Sequence, residues 1–237
     1  RDENSVKVSF RIDEGEEIRV AKIAIMGSKI IPERKLRGVM ETEETGIFGG
    51  GGEFKKDVYA QDKMKIEAYY KEKGYLDAQI VEDSVEYEWA NPTERENRAI
   101  FITIKVTEGE RYYFDRYSVA GNKIFETKVF EQNFEQQERG AIFNNTSFQR
   151  DMQMMAARYA EKGYIFARVI PKKTIEEREV MVEGRKEMRK FVKIDFTIHE
   201  GDKVRIENII VKGNKKTKER VIRREILVRE NELFDSF

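Results

Sequence analysis

The 237-residue chain has no cysteine, one histidine, one tryptophan and three prolines. The missing cysteines exclude disulfides and thiolate metal sites but leave the compartment open, because oxidising spaces permit disulfides without requiring them. Neither sign of charge is in excess. With 45 basic and 45 acidic residues the global electrostatics give no reason to expect a polyanion, so no nucleic-acid partner is expected. No apolar run approaches the roughly 20 residues that carry a helix across a bilayer, and direct membrane insertion of this stretch is not expected. No signal-peptide pattern is read in this stretch, and a start at Arg1 in what reads as the last strand of an earlier module suggests a fragment.

What the chain does have is charge and repetition. Charged residues make up 38%, hydrophobic residues 39%, and the mean hydropathy is −0.70, the balance of thin elements with much solvated surface. Three stretches, Val6–Lys29, Ile100–Lys123 and Val192–Lys215, share one arrangement: a strand, an acidic-glycine turn, a second strand and a stop glycine. The turn glycines Gly15, Gly109 and Gly201 are spaced by 94 and 92 residues, and so are the stop glycines Gly27, Gly121 and Gly213. A register kept over that distance is an internal repeat, which favours several small modules over one large domain.

Between these stretches the periodicity alternates between helix and strand. Ile100, Ile102, Ile104 and Val106 form the cleanest two-residue alternation, matched by Val192, Ile194, Phe196 and Ile198. A short helix is expected over Pro32–Met40, with Leu36, Val39 and Met40 on one face, and its counterpart over Glu126–Phe134 with Phe130 and Phe134. A longer helix is expected from Val58 to Lys73, ended by Gly74, with Tyr59, Ile66 and Tyr70 on one stripe. Phe148, Met155 and Tyr159 repeat that stripe 89 residues later, with Thr146 or Ser147 as the cap. Tyr75–Trp89 reads as a strand, with Ala78 and Ile80, then Val85, Tyr87 and Trp89, at alternating positions. From Val204 a third module begins, with Ile209 and Val211 in its first strand and Ile222 and Ile226 on its helix. The connector Glu41–Asp57 contains Gly49–Gly52; it lacks the Lys-Ser/Thr of a phosphate loop and reads as a permissive linker.

The module is therefore strand, helix, helix, strand, strand, an α+β unit with a three-stranded mixed sheet covered on one face by two antiparallel helices. The expected divisions are 1–16 as the last strand of a preceding module, 17–109 and 110–201 as complete modules, and 202–237 as the start of another. Pro171 places the middle strand of the second module at a sheet edge. His199 sits at a strand end where the other copies have Thr107 and Asp13, and the carboxylates show no convergent pair or metal-ligand spacing. Neither an enzyme nor a cofactor or metal site is expected.

The order of elements, the Glu-Gly turn before strand one, the Gly-Asn after it and the Gly-Tyr-x-x-Ala start of strand two resemble POTRA modules, the polypeptide-transport-associated repeats. Glu72-Lys-Gly-Tyr75, Asn145-Thr146 and Val221-Ile-Arg-Arg-Glu-Ile226 are similar to the third, fourth and fifth repeats of outer-membrane β-barrel assembly factors. The resemblance implies a periplasmic portion of an outer-membrane protein, joined to its own C-terminal β-barrel. It also implies unfolded β-barrel precursors and accessory lipoproteins as partners. An exposed edge strand offers unpaired N–H and C=O groups to any extended chain, and Ala78, Ile80, Val85 and Tyr87 are expected to line or flank it. Equally, those apolar positions can face the module's own helices. Glu14-Gly15, Glu108-Gly109 and Glu200-Gly201 are read as inter-module joints. The resemblance to the fifth repeat implies a lipoprotein contact near Arg224 and Glu230. A different class of reading stays open, a POTRA arm of another transporter or assembly factor acting mainly as a structural spacer.

Overall fold

The structure is a computed structural model that describes residues 10, 18–46, 50–89 and 98–232. The expected strand Val6–Ile12, apart from Phe10, and the joint Glu14-Gly15 lie outside the described residues. The chain forms two compact units, the first running to Tyr70 and including Asp77–Gly109, the second comprising Lys71–Leu76 and the chain from Glu110 onward.

In the first unit, β1 (Arg19–Met26), β2 (Gln79–Trp89) and β3 (Arg98–Thr107) form one sheet in the order β1-β3-β2. β3 runs parallel to β1 and antiparallel to β2, as the α+β reading expects. Its buried row, Ile100, Ile102, Ile104 and Val106, is the floor of the core. In β1 the buried positions change parity between Val20 and Ile23, and in β2 the apolar positions change parity between Ile80 and Val85. Each strand has a bulge at that point, between Val20 and Lys22 and between Ile80 and Glu82. One extra residue restores the same face after it.

Two helices complete the unit, α1 (Glu33–Arg37), with Pro32 at its N-cap, and α2 (Lys56–Glu72). α1 is shorter than Pro32–Met40, but Leu36 and Met40 are both buried as that reading expects. α2 buries Tyr59, Ile66 and Tyr70, the stripe set by its periodicity. Strand two begins at Gln79 rather than Tyr75, because Tyr75–Ala78 form a turn.

The second unit repeats the plan. β4 (Tyr112–Ala120), α3 (Thr127–Glu131), α4 (Asn145–Ala160), β5 (Arg168–Val182) and β6 (Arg185–His199) give a sheet in the order β4-β6-β5. Its core is aromatic. Tyr117 meets the ring edges of Phe114, Phe134 and Phe196 at centroid distances of 4.7, 4.7 and 5.1 Å, each contact adding about 0.5–1.5 kcal/mol beyond area burial. The cap of α4 is not Thr146 or Ser147. Asn144 takes that place, its side chain accepting from the N–H groups of both, since its extended backbone lets Oδ1 reach two orphan donors at once. The β5–β6 hairpin turns through Glu183 and Gly184 with φ of 48° and 79°, the backbone of a two-residue type I′ loop. β4 joins β6 only from Lys190 onward, so Arg178–Arg189 is a two-stranded ribbon.

Two of the stop glycines share one cause. Gly27 and Gly121 have φ of +85° and +84°, and a Cβ on either would strike the backbone carbonyl oxygen of Val106 or Ile198 in the central strand. Only glycine allows that approach. Beyond Val204 the expected first strand with Ile209 and Val211 does not form; among the described residues only Arg205 shows an isolated bridge. β1 and β4 exist because a central strand pairs with them, and residues 204–232 hold no counterpart of β3 or β6. α5 (Glu219–Glu225) buries no residue, and Ile226 lies past its end as the C-cap.

Candidate functional site

With β3 in the centre, β1 and β2 are the two edges of the first sheet, and they are treated differently. The start of β1 is clasped by the connector. Val20 N–H donates to Gly52 O and Thr45 N–H donates to Val20 O, both at 2.8 Å, and Arg19 bridges to Glu53. Ile23 N–H donates to the Glu44 carboxylate at 2.8 Å. The described part of the glycine segment, Gly50–Gly52, is thus backbone pairing for an edge strand rather than an idle linker. The second unit does the same with other residues: Phe114 N–H donates to Ala141 O at 2.8 Å, and Phe143 N–H to Tyr112 O at 2.9 Å.

β2 is left as the open edge. Its first donor, Ile80 N–H, is held by the Glu67 carboxylate of α2 at 3.1 Å. From Val81 to Glu88 the backbone makes no hydrogen bond except within the sheet, among the described residues. Cross-strand partners share a face, so the register places each side chain. Ile80, Val85 and Tyr87 lie opposite Val106, Ile102 and Ile100, on the face that carries the core. Ala78 precedes the strand and is buried, Ile80 and Val85 are half-buried, and Tyr87 is 54% exposed. Asp83, in the same row, accepts from Tyr59 Oη at 3.1 Å and from Lys63 Nζ at 2.9 Å, fastening α2 to the edge. Burial, then the Asp83 charge and hydrogen bond, push the Tyr59 hydroxyl far above its ordinary pKa. The opposite row holds Glu82, Ser84, Glu86 and Glu88, facing Lys105, Thr103, Phe101 and Ala99.

β5, the corresponding edge, is built otherwise. Pro171 lies opposite Phe196 and brings no N–H. Lys173 stands in the apolar row, its Nζ 4.2 Å from the centroid of Phe148. Burial lowers its pKa, with the nearby Lys71 charge adding to the effect.

Glu108 and Glu200, read as joints, hold loops inside their own units. The buried Glu108 carboxylate accepts the N–H groups of Lys29 and Ile30 at 2.8 Å and of Ile31 at 3.0 Å, and the Tyr70 hydroxyl at 3.0 Å. Glu200 accepts Ile124 N–H at 2.8 Å and the Tyr159 hydroxyl at 2.9 Å. A second repeated carboxylate escaped the periodicity argument, because a polar residue inside an apolar stripe gives no hydrophobic signal. Asp62 accepts the N–H groups of Glu41 and Thr42, both at 2.8 Å, and Asp151 accepts Glu135 N–H at 2.7 Å and the Tyr117 hydroxyl at 3.1 Å. Their spacing of 89 residues, shared with the Tyr, Ile and Met of the helices, was the available clue.

The two aspartates titrate in opposite directions. Burial raises both, but at Asp62 hydrogen bonds from Thr42, Glu41 and Lys65 outweigh it and the pKa falls. At Asp151, where Met154 stands in the place of Lys65, burial prevails and the pKa rises. Asp115 belongs to the second unit alone. It is the extra residue of the β4 bulge, is fully buried, and takes Arg178 in a two-point contact at 2.9 Å and Arg139 at 2.6 Å. The Arg178 hydrogen bonds lead in holding its pKa down at about 2.

Arg224 and Glu230 are not brought together. Arg224 pairs with Glu225, while Glu230 accepts Ile209 N–H at 3.0 Å and pairs with Arg223 at 3.0 Å. His199 is exposed at the end of β6. Among the described residues no group of three or more His, Cys, Asp or Glu is placed to hold a metal ion, and no helix is long and apolar enough to cross a membrane.

Compared with known proteins, the chain matches the profile of the family described as "POTRA: Surface antigen variable number repeat" at residues 18–109, 112–201 and 204–237. A candidate outer membrane protein assembly factor of Treponema pallidum (strain Nichols) is 32% identical over 97% of this chain and 26% of its own length. The outer membrane protein assembly factor BamA of Neorickettsia risticii (strain Illinois) is 30% identical over 98% of this chain and 29% of its own length. The chain thus spans between a quarter and a third of these relatives. The crystal structure of Haemophilus influenzae BamA POTRA3-5 superposes with a TM-score of 0.66 at 19% identity, over 92% of this chain and 80% of that one, which establishes a shared fold.

Proposed function

We propose, from the premise that this chain belongs to the POTRA family, that it is the periplasmic arm of a BamA-like outer-membrane protein assembly factor and receives unfolded β-barrel precursors by strand addition at β2. The carrying observation is the asymmetry of the first sheet. One edge is clasped by its own connector, and the other, from Val81 to Glu88, makes no backbone hydrogen bond outside its ladder with β3 among the described residues. Main-chain pairing binds many sequences, because every extended peptide has the same backbone groups, while side chains add preference. The modules 17–109 and 110–201, and the partial one from 202, serve in this reading as a scaffold joined to a C-terminal β-barrel. Accessory lipoproteins dock on it, with Arg224 and Glu230 in their contact.

Titrating the isotopically labelled chain with a peptide from an unfolded barrel strand tests the proposal. Amide shift changes should concentrate on Leu76–Tyr87, and a peptide N-methylated at alternate residues, which lacks donors on one side, should bind at least tenfold more weakly. Equal binding of the methylated peptide would show that backbone pairing is not the mode. A purely structural spacer would give no shifts with either peptide.

A further inference from the structure

We infer that β2 selects among extended chains by pattern, taking strands with apolar residues on one side and Lys or Arg on the other, and that β5 does not accept them. The inference rests on strand addition at β2. A strand laid beside β2 brings its side chains within about 5 Å of those directly opposite and therefore meets two different rows. On the core face it meets Asp83, whose carboxylate is taken up by Tyr59 and Lys63, and then Val85, Tyr87 and Trp89; Tyr87 and Trp89 are 54% and 38% exposed, so apolar groups of a guest would cover exposed aromatic surface beyond Asp83. On the other face it meets Glu82, Ser84, Glu86 and Glu88. No Lys or Arg lies anywhere in Gln79–Trp89. Lys105 approaches Glu82 at 3.6 Å, and Glu86 and Glu88 have no ion-pair partner among the described residues. A guest with basic residues in that row completes the pairs, and one with carboxylates places like charges opposite each other.

β5 has the reverse composition over its first turn of sheet. Arg168, Lys172 and Lys173 stand there with no acidic residue before Glu176. Pro171 removes a donor, and Lys173 puts a cation in the apolar row with no carboxylate paired to it among the described residues, whereas Asp83 is paired with Lys63 at 2.9 Å. Proline and lysine are the devices that keep edge strands from pairing.

The test uses three eleven-residue peptides with the same alternating Val and Tyr, differing only in whether the intervening positions are Lys, Gln or Glu. Binding to the full chain is followed by amide shifts. The Lys peptide should bind at β2 about three- to tenfold tighter than the Gln peptide, and the Glu peptide weaker by a similar factor. High salt should shrink the spread, since screening shortens to about 3 Å at 1 M. In a Glu86→Gln/Glu88→Gln variant, both surface positions, the three peptides should converge. Amides of Arg168–Lys173 should stay still throughout. Equal binding of all three at β2 would overturn the selection and leave strand addition standing. Shifts at Arg168–Lys173 as large as those at β2 would overturn the exclusion of β5. No binding by any peptide would remove strand addition itself, and this inference with it.

Discussion

Replacing Glu108 by alanine takes the acceptor away from four donors. Two of them, the N–H groups of Lys29 and Ile30, are on exposed residues and can turn to water. The other two, Ile31 N–H and the Tyr70 hydroxyl, belong to residues 8% and 1% exposed and would lose the carboxylate that accepts from them, at about 1–3 kcal/mol each. The expected loss is about 3–4 kcal/mol, or a fall in Tm of roughly 15–25 °C for a unit of this size. Glu108→Gln keeps an oxygen where Oε1 serves those two buried donors, so about 1–2 kcal/mol is expected. Glu200→Ala orphans only one deeply buried donor, the Tyr159 hydroxyl, because Ile124 is 44% exposed; about 1–3 kcal/mol is expected.

The assay follows from composition. Trp89 is the only tryptophan and lies in the first unit, so its fluorescence in urea reports that unit while circular dichroism reports both. Burial alone would raise the Glu108 pKa, but the N–H groups of Ile31, Ile30 and Lys29 and the Tyr70 hydroxyl bring it below its ordinary 4.5. A depressed carboxylate pKa stabilises fully above that ordinary value, and the contribution is lost as pH falls through the folded value. The Trp89 transition should therefore weaken with acid below about pH 4.5, and less so in Glu108→Gln. A shift under about 1 kcal/mol in Glu108→Ala, or a larger effect at Glu200, would refute the reasoning.

Asp62→Asn should cost the first unit about 1–3 kcal/mol at pH 7, because the new amide N–H₂ faces donors. Asp151→Asn should cost under about 1 kcal/mol, since its amide can donate to Tyr117 Oη. The raised pKa of Asp151 means that its charged form opposes folding as pH climbs above 3.8, so this variant should flatten that limb of the stability profile measured by urea melts. Asp115→Asn strips two arginines of their buried partner; with Arg178 and Arg139 able to rehydrate, about 1.5–3 kcal/mol is expected in urea unfolding. Gly121→Ala should destabilise the second unit by more than 2 kcal/mol, and a calorimetric scan showing under 1 kcal/mol would contradict the close approach to Ile198 O. Removing residues 202–237 should leave one or two sharp thermal transitions, and a broad, uncooperative melt would count against independent modules.

The module plan was legible because burial follows period. β3 alternates without a break, and the stripe Tyr59, Ile66, Tyr70 returns 89 residues later as Phe148, Met155, Tyr159. The bulges were legible only as faults in that period: apolar positions move from even at Ile80 to odd at Val85, and a single extra residue accounts for it. Polar roles were harder to read. Glu108 marked a turn in the sequence, but its work depends on Tyr70 and the Lys29–Ile31 loop, far away along the chain. Glu67 reaches Ile80 N–H from only 13 residues away, but from a helix to a strand, and no periodicity marks the pair. The third repeat misled for a related reason: Ile209 and Val211 have the right alternation, but alternation yields a strand only when a partner strand is present.

The clasp on β1 has a consequence for stoichiometry. A sheet open on both sides could be bridged by guests from either flank and would link chains into networks. With β1 engaged by Gly52, Thr45 and Glu44, strand addition of the kind proposed would give the first sheet a valence of one. A strand seated on β2 then presents its own outer edge, so whatever pairs next is aligned by the guest rather than by the host. In such an arrangement the host acts as a seed, setting the register of the first strand and taking no part in the sheet that grows from it.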